Sequence, residues 1–268
     1  MPTEGADRAR GAPDGGLQVD SQRLLTIERG IGFLERLAKD GPMAVSGLAQ
    51  ASGLPASTVY RYVAALRESG MIWDLPGGQL GLGPRCVQLE LGFREALDAW
   101  VPCQPVMREL AAVTGETVAL LVPLGCEAVC IDTVLSPQTL RYSFERGMTT
   151  PLVRGAAGKA MLAHFEPPRQ QAMVAASPLL RDDERAPLLE ELSIIRRRGT
   201  AVSREELDRG AWAAAVPVFD VAGAVEGALC VIAPTVRAEG RETFLIGATK
   251  EAGVRLPSIK GWGAAAPV

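Results

Sequence analysis

Apolar residues recur at three- and four-residue spacings through the first third of the chain, the spacing that marks one face of a helix. The first such face consists of Ile27, Ile31, Leu34 and Leu37. Thr26 is placed to cap this helix, and the Asp-Gly-Pro sequence at 40–42 ends it. A second, short helix is predicted after Ser46 and a third from about Ala56 to Ser69, joined by a turn at Gly53, where glycine tolerates a positive φ.

The pattern that follows the three helices is typical of a β-hairpin. Residues 71–73 and 79–82 are short apolar stretches on either side of a Pro-Gly-Gly turn. Together with the helices, this hairpin predicts a winged helix-turn-helix over residues 23–84, with the hairpin as its wing. Residues 85–100 are predicted as a linker helix that is polar on one side. Residues 1–22, rich in Gly, Pro, Ala and Asp, are predicted as a disordered tail.

The rest of the chain mixes β-rich and helical segments. The predicted strands cover residues 117–124, 128–135, 139–144, 213–219 and 225–232. The predicted helices cover residues 105–113, 156–165, 168–175, 184–198 and 239–253. Because these segments lack the strict βαβ rhythm of a doubly wound sheet, residues 101–256 are predicted as an α+β domain. Residues 257–268 are predicted as a loose tail.

Composition places the 268-residue chain among globular proteins, with 47% hydrophobic and 22% charged residues. This length allows two ordinary domains with separate cores. No apolar run reaches the roughly 18–20 residues that would cross a bilayer, and the first residues lack the apolar centre of a signal peptide. Five cysteines, an odd number, do not suggest a disulfide framework and favour reduced thiols in a cytoplasm. We therefore expect a cytoplasmic protein with no membrane partner.

The outer face of the third helix is the candidate surface for reading DNA. Steps of about 100° per residue from a buried Val59 turn Val63 and Leu66 inward. Hydroxyls and free backbone amides at the helix start suit phosphates, small residues allow close approach to a groove, and Arg61 suits a guanine edge or a phosphate. The predicted DNA-binding residues are Ser46, Ser57, Thr58, Tyr60, Arg61 and Tyr62.

Two alternatives remain open for this face. Arg61 can instead pair with Glu68 or Asp74, which leaves an ordinary solvated helix surface. Residues 21–84 carry six basic and five acidic side chains, and this weak balance also fits a small-molecule sensor that does not bind DNA. DNA binding by a chain of net charge −3 requires that the field of this one face attract the phosphates.

Segments from both halves of the chain resemble, in order, the IclR family of transcriptional regulators. The N-terminal segments are TIERGIGFLERLA, LAQASGLPASTVYRYVAAL, ESGMI and LGLGPRCVQL. The C-terminal segments are RELAAVTGETVAL, LRYSFERGMTTPLVRGAAGKAMLA, RRRGTAVSREELDRGAWAAAVPVFD and GALCVIAPTVR. The resemblance covers residues 24–255 and implies a GAF-like effector-binding domain, homodimers or homotetramers, and binding to a double-stranded DNA operator that a small organic molecule modulates.

The same resemblance implies which residues contact the effector. They are Tyr142, Thr150, Ala156, Ala157, Ser203, Ala213, Cys230 and Ile232. Ala213 and Ile232 are apolar where relatives that bind small acids often carry polar groups, and Ser203 stands where an acidic residue is frequent. We therefore expect a larger or more apolar effector, such as an aromatic or apolar carboxylate, anchored by backbone amides and by Thr150, Ser203 or Tyr142.

The Gly/Ala-rich turn at residues 154–159 opens a helix and so exposes amides that suit an anion. It is not a Walker phosphate loop, because Val153 and Ala160 stand where that loop needs Gly and Ser or Thr. Close packing of the helix start against a strand explains the small residues equally well, and both interpretations stay open.

An enzyme is the rival class of protein. His164 is the single histidine, and no Ser-Asp arrangement accompanies it in the sequence. Cys126 and Cys130 lack the second pair or the histidine that a zinc site needs. Neighbouring acids such as Asp182-Asp183 and Glu205-Glu206 diverge on any regular element. We therefore predict no catalytic residue, no metal and no cofactor.

Overall fold

The computed structural model describes residues 21–100 and 103–256. Internal contacts divide the chain into two compact units, with the division between Arg94 and Glu95. Each unit has its own buried core. Both predicted tails fall mainly on residues 1–20 and 257–268, which lie outside the described residues.

The N-terminal unit is a winged helix-turn-helix, as predicted. Its elements are α1 (Ser21–Asp40), α2 (Val45–Ser52), α3 (Ala56–Glu68), β1 (Ile72–Leu75), β2 (Gln79–Leu82) and α4 (Pro84–Trp100), which crosses the division between the units. β1 and β2 form the antiparallel wing, and Met43 forms a β-bridge with Leu80 of β2. Its buried core consists of Phe33, Leu37, Leu48, Val59, Val63, Ile72 and Leu80.

Helix boundaries in this unit differ from the prediction at two places. Thr26 lies inside α1 and is not its cap, because residues 21–25 (SQRLL) are good helix formers that extend the helix upstream. Ser46 lies in the first turn of α2, and the extended Ala44 precedes the helix. Gly53 ends α2 with φ 66°, the left-handed conformation that the predicted turn requires.

The predicted inner face of α1 is only partly correct. Leu37 is buried and Leu34 is half-buried, but Ile27 and Ile31 remain 58% and 48% exposed. Phe33 is buried in their place, where its ring meets Tyr62 edge-on. The spacing identified a helix correctly, but both sides of α1 carry apolar residues, so spacing alone could not select the buried side.

The C-terminal unit is built around one antiparallel sheet of six strands. Its strands are β3 (Thr117–Leu124), β4 (Glu127–Val134), β5 (Thr149–Pro151), β6 (Ala201–Arg204), β7 (Ala211–Phe219) and β8 (Val225–Pro234), in the order β5-β4-β3-β8-β7-β6. Its helices are α5 (Gln104–Thr114), α6 (Ala156–Leu162), α7 (Pro167–Ala176), α8 (Asp182–Arg198), α9 (Thr235–Ala238) and α10 (Glu242–Arg255). The expected α+β class is confirmed.

Helices cover both faces of this sheet and create two cores. On one face α6, α7 and α8 pack on side chains such as Leu121 and Ala228. On the other face α5, α9 and α10 pack on side chains such as Leu120 and Leu229. The central strands β3 and β8 are therefore buried on both faces, which explains why their sequences are almost continuously apolar.

Three predictions for this unit are wrong in detail. Residues 139–144 form no strand, and the strand that pairs with the outer edge of β4 is instead β5, over Glu127–Val129. The edge strands β5 and β6 were missed because they are only three and four residues long. The helix predicted over residues 239–253 is α10, which begins only at Glu242, after Gly240 with φ 73°, and the short α9 before it was missed.

Candidate functional site

A cavity of about 460 Å³, its open mouth included, lies in the C-terminal unit beside the sheet and the start of α6. All eight residues that the sequence suggested for effector contact line it: Tyr142, Thr150, Ala156, Ala157, Ser203, Ala213, Cys230 and Ile232. Six further lining residues were not predicted: Leu121, Phe144, Gly155, Leu207, Ala211 and Trp212. Neither propensity nor periodicity singles these six out, since each looks like an ordinary core or loop residue.

Strand register explains how residues so distant in sequence meet at the cavity. Ser203 of β6 lies opposite Ala213 of β7, and Ala213 lies opposite Ile232 of β8. Cys230 lies two residues before Ile232 and so faces the same side of the sheet. One row across three strands therefore forms a wall of small and apolar side chains.

The cavity also contains two hydroxyl groups, that of Ser203 in this row and that of Thr150 in β5. Thr150 is 9% exposed and Ser203 is 5% exposed, so each is more than nine-tenths buried. Within residues 103–256, neither hydroxyl has a hydrogen-bond partner, nor do the backbone amides of Ala156 and Ala157 in the first turn of α6. Neither hydroxyl oxygen is itself fully buried, so both can be reached from the cavity that they line. These groups therefore form a set of hydrogen-bonding positions open to a bound molecule.

The mouth of the cavity carries a tyrosine and an aspartate in contact. The Tyr142 hydroxyl donates a hydrogen bond to the Asp208 carboxylate. Burial, and then this hydrogen bond, raise the pKa of Tyr142 above its ordinary value. The phenol therefore stays protonated at neutral pH and acts as a donor.

The cavity cysteine is a thiol and not a thiolate. Burial, and to a smaller extent the neighbouring Cys130, raise the pKa of Cys230 to about 12. Burial likewise raises the pKa of Cys130 to about 12. Because the thiolate is the reactive form, Cys230 offers the cavity a weak hydrogen-bond donor and not a nucleophile.

In the free protein, the small residues at the start of α6 allow the helix to pack closely against the chain before it. A Cβ at Gly158 would lie 2.5 Å from the Pro151 carbonyl oxygen and 2.9 Å from Leu152 Cα, so only glycine fits there. Lys159 is 3% exposed, and its Nζ lies 2.6 Å from both Glu191 Oε1 and Glu206 Oε1. The lysine is therefore neutralised by two carboxylates and does not line the cavity.

The second candidate site is the outer surface of α2 and α3. Ser46, Ser57, Tyr60 and Arg61 are exposed, and Thr58 is half-buried. Of the described residues, none forms an ion pair or hydrogen bond with Arg61, and the salt bridges considered for it from sequence are absent. Asp74 instead accepts a hydrogen bond from Arg67 at 2.6 Å. Arg61 is therefore a cation with its guanidinium available to an external anion.

Tyr62 is placed differently from the other five predicted DNA-binding residues. It is half-buried, and its ring centroid lies 5.5 Å from that of Phe33. Its ring is therefore part of the contact between α3 and α1. A contact to DNA would have to come from its polar edge.

The histidine and the cysteines considered for catalysis or zinc binding lie in ordinary packing or turn positions. His164 Nδ1 lies 2.9 Å from the Ala160 carbonyl oxygen, and its ring meets Phe219 edge-on. Cys126 is exposed in a turn, whereas Cys130 is buried in β4. Across the described ranges, no three His, Cys, Asp or Glu side chains are grouped to hold a metal, and no helix is long and apolar enough to span a membrane.

Known families match both units. The family described as the IclR helix-turn-helix domain matches residues 26–73. The family described as the bacterial transcriptional regulator IclR C-terminal domain matches residues 96–256. Together these matches cover most of the chain.

Individual relatives agree with the family matches. The HTH-type transcriptional regulator BhcR of Paracoccus denitrificans is 30% identical over 240 residues, which cover 86% of each chain. A crystal structure of an IclR transcriptional regulator from Silicibacter is 29% identical with a TM-score of 0.77, covering 90% of this chain and 98% of that one. An IclR homologue from Microbacterium hydrocarbonoxydans, complexed with 4-hydroxybenzoate, has a TM-score of 0.69 at 21% identity, covering 85% and 96%. This chain belongs to the IclR family of bacterial transcriptional regulators.

Proposed function

We propose that this regulator reads a double-stranded DNA operator with the exposed face of α3, and that an aromatic or apolar carboxylate in the cavity changes its DNA affinity. The observation that carries the effector half is that Thr150 and Ser203, two buried residues, line a mainly apolar cavity with hydroxyls that have no hydrogen-bond partner in the free protein. The DNA half rests on the winged helix-turn-helix and on the free guanidinium of Arg61.

The proposed DNA contacts follow from the geometry of a recognition helix. In helix-turn-helix proteins the N-terminal part of the second helix meets base edges in the major groove. Ser57 and Thr58 lie in the first turn of α3, where their hydroxyls and the Ser57 amide suit phosphates, and Arg61 lies one turn further along. Ser46, in the first turn of α2, is placed for a backbone phosphate. Tyr60 is 61% exposed and supplies an aromatic edge.

The proposed effector has an apolar body and one polar end. The cavity is lined mostly by apolar side chains with a few polar groups, the composition typical of small-molecule sites. Its lining contains no lysine, arginine or histidine, so a carboxylate would be held by the Thr150 and Ser203 hydroxyls and the α6 amides. The complex of the Microbacterium relative with 4-hydroxybenzoate, an aromatic carboxylate, supports this class.

The proposed regulator is a cytoplasmic homodimer or homotetramer and not an enzyme. Ile27 and Ile31 of α1 remain largely exposed, as expected for a surface that a second copy covers. We assign residues 23–84 to DNA binding, 101–256 to effector binding, and 85–100 to the linker through which the effector changes the pose of paired DNA-binding domains. No cofactor, metal or membrane partner enters this proposal.

A mobility-shift titration tests the DNA half. The full chain should retard a duplex from upstream of its own gene, and Arg61→Ala should cost about 1–3 kcal/mol of binding free energy. Arg67→Ala is the matched control on the same helix, because Arg67 already pairs with Asp74. Equal losses in both variants would remove Arg61 from the reading surface. A chain that binds an effector but retards no duplex would instead be a sensor without DNA binding.

Isothermal titration calorimetry tests the effector half. We expect 4-hydroxybenzoate to bind more tightly than glyoxylate, and Ala213→Phe, which fills the cavity, to abolish binding. Ala222→Phe, in an exposed turn, is the control for the added ring. Equal affinity for the two acids would contradict an apolar effector, and turnover of either compound would favour an enzyme.

A further inference from the structure

The segment that joins β6 to β7, residues 205–210, contributes Leu207 to the cavity lining and contacts the lining residue Tyr142 through Asp208. Leu207 at its centre is one of the cavity-lining residues, yet 40% of its surface is exposed to solvent. A side chain with one side toward the cavity and the other toward solvent separates the two.

Leu207 closes tightly on the start of α6. A Cβ placed on Gly155 would lie 2.6 Å from Leu207 Cδ1 and 3.1 Å from its Cγ. The Leu207 side chain therefore packs directly on the backbone of Gly155. A larger residue at position 155 would displace Leu207 outward. The contact is apolar and involves one side chain, so it can open without breaking a strand ladder.

Side-chain interactions attach the rest of the segment to distant parts of the unit. Glu206 Oε2 accepts a hydrogen bond from the Gly155 amide at 3.0 Å, and Glu206 Oε1 accepts one from Lys159 Nζ at 2.6 Å. Asp208 accepts the hydrogen bond from Tyr142. Glu206, Asp208 and Tyr142 are partly or fully exposed, whereas Gly155 and Lys159 are buried. Lys159 keeps its second carboxylate partner, Glu191, when Glu206 moves away. Attachments of this kind hold a closed position that can also open.

The two ends of the segment have the backbone conformations of a hinge. Glu205 has φ 58°, and among the described residues it is the only one other than glycine with a positive φ. Gly210, at the other end, has φ 76° and donates its amide to Glu205 Oε1 at 3.1 Å. Positive φ in a residue with a side chain is disfavoured and persists where surrounding contacts enforce it. Release of those contacts would therefore favour opening at this point.

We propose that residues 205–210 form a lid that must open for the effector to enter, with the Tyr142–Asp208 hydrogen bond as its latch. Leu207 is then a specificity-determining residue, because its side chain limits the length of the molecule that fits under the closed lid. This inference rests on the proposed effector cavity, and its first test requires no effector.

Hydrogen–deuterium exchange of the free full chain measures lid opening directly. The amide of Gly155 is bonded to Glu206, so lid opening exposes this amide. Tyr142→Phe removes only the hydroxyl of the latch and should speed exchange of the Gly155 amide about tenfold, with the amides of β3 and β8 unchanged. Tyr60→Phe, on α3, is the matched control. Unchanged exchange at Gly155 would contradict the role of this hydrogen bond in holding the lid closed.

Binding kinetics test the role of the lid in ligand entry. Stopped-flow tryptophan fluorescence with 4-hydroxybenzoate is suitable because Trp212 borders the cavity. Asp208→Ala removes the acceptor of the latch without changing a cavity-lining residue, so the association and dissociation rates should both rise about tenfold, while Kd changes less than about threefold. A weaker Kd with an unchanged association rate would contradict the lid.

Leu207→Ala tests ligand length. Relative to the wild type, it should gain at least about tenfold in affinity for biphenyl-4-carboxylate over 4-hydroxybenzoate. An unchanged ratio would contradict the specificity role of Leu207. If the wild type binds neither probe, the proposed effector class fails, whereas the exchange experiment still decides whether the lid opens.

Discussion

The outer face of α3 and the cavity of the C-terminal unit are two candidate binding surfaces built in opposite ways. The α3 face comes from one short stretch of chain, is exposed, and carries its polar groups on a single helix. The cavity lining extends from Leu121 to Ile232, is mostly buried, and needs five strands and a helix start to assemble it. The difference indicates that substitutions on the exposed face of α3 will change stability little. Substitutions at many cavity positions will change both the stability of the unit and its affinity for a ligand.

The largest effect that we predict concerns a glycine below the cavity. Gly158→Ala should destabilise the C-terminal unit by about 2–3 kcal/mol, because its Cβ meets the backbone of Pro151 and Leu152 at 2.5–2.9 Å. Gly247→Ala is the control within a helix, since its Cβ meets nothing within 4 Å and alanine favours helix by up to about 1 kcal/mol. Urea unfolding would measure both, and equal stability of the two variants would refute tight packing at Gly158.

The next effect should appear on α3 without a change in stability. Ala64→Glu places a negative charge on the exposed face beside Arg61, where it would approach the phosphates. DNA affinity in a mobility-shift assay should fall at least about tenfold, because like charges meet at the interface. Ala175→Glu, at an exposed position of α7, makes the same chemical change elsewhere and should leave affinity unchanged. A similar loss in both variants would mean that overall charge, and not this face, controls binding.

Removal of a cavity hydroxyl should have a smaller effect and should separate binding from stability. Thr150→Val and Ser203→Ala should each weaken 4-hydroxybenzoate binding about fivefold, the loss of one net hydrogen bond. Because neither hydroxyl has a partner in the free protein, the free energy of unfolding without ligand should not fall. Calorimetry and thermal unfolding check the two halves of this prediction. Ser193→Ala, on the exposed side of α8, is the control.

The smallest effect concerns pH and the single histidine. Burial, with a further contribution from the nearby Arg196, keeps the pKa of His164 below its ordinary value, although its bond to Ala160 partly opposes this. As pH falls through about 6.5, the unfolded chain takes up a proton that the folded chain resists, so stability is lost. His164→Asn keeps a donor for the Ala160 carbonyl and should flatten the decline in stability between pH 7 and pH 5. An unchanged pH profile would show that His164 does not contribute to it.

Periodicity predicted the N-terminal unit well but failed on one helix side. A spacing of three and four residues placed Val59 and Val63 of α3 inside, where the structure has them. For α1 the same rule favoured Ile27 and Ile31, which are exposed, over Phe33, which is buried. Spacing identifies a helix, but the neighbouring elements decide which of two apolar sides they cover.

Prediction of the cavity depended on resemblance and not on residue patterns. Ala156, Ala213 and Ile232 have no chemistry that marks them as ligand contacts. Their place in the cavity follows from strand register and from the close approach of α6, which Gly158 permits. Leu207 was missed because it lies in a polar loop, and its contact with Gly155 joins residues far apart in the chain.

Local sequence alone determined the helix-turn-helix, the turn at Gly53, the wing and the long apolar strands β3 and β8. These features depend on propensity, spacing and turn chemistry, which act over a few residues. Tertiary structure alone decided that Arg67 and not Arg61 pairs with Asp74, that residues 139–144 stay irregular, and that Leu207 in the loop after β6 lines the cavity. Each of these outcomes depends on which distant side chain or strand edge is already occupied, and that competition is resolved only when the whole unit has packed.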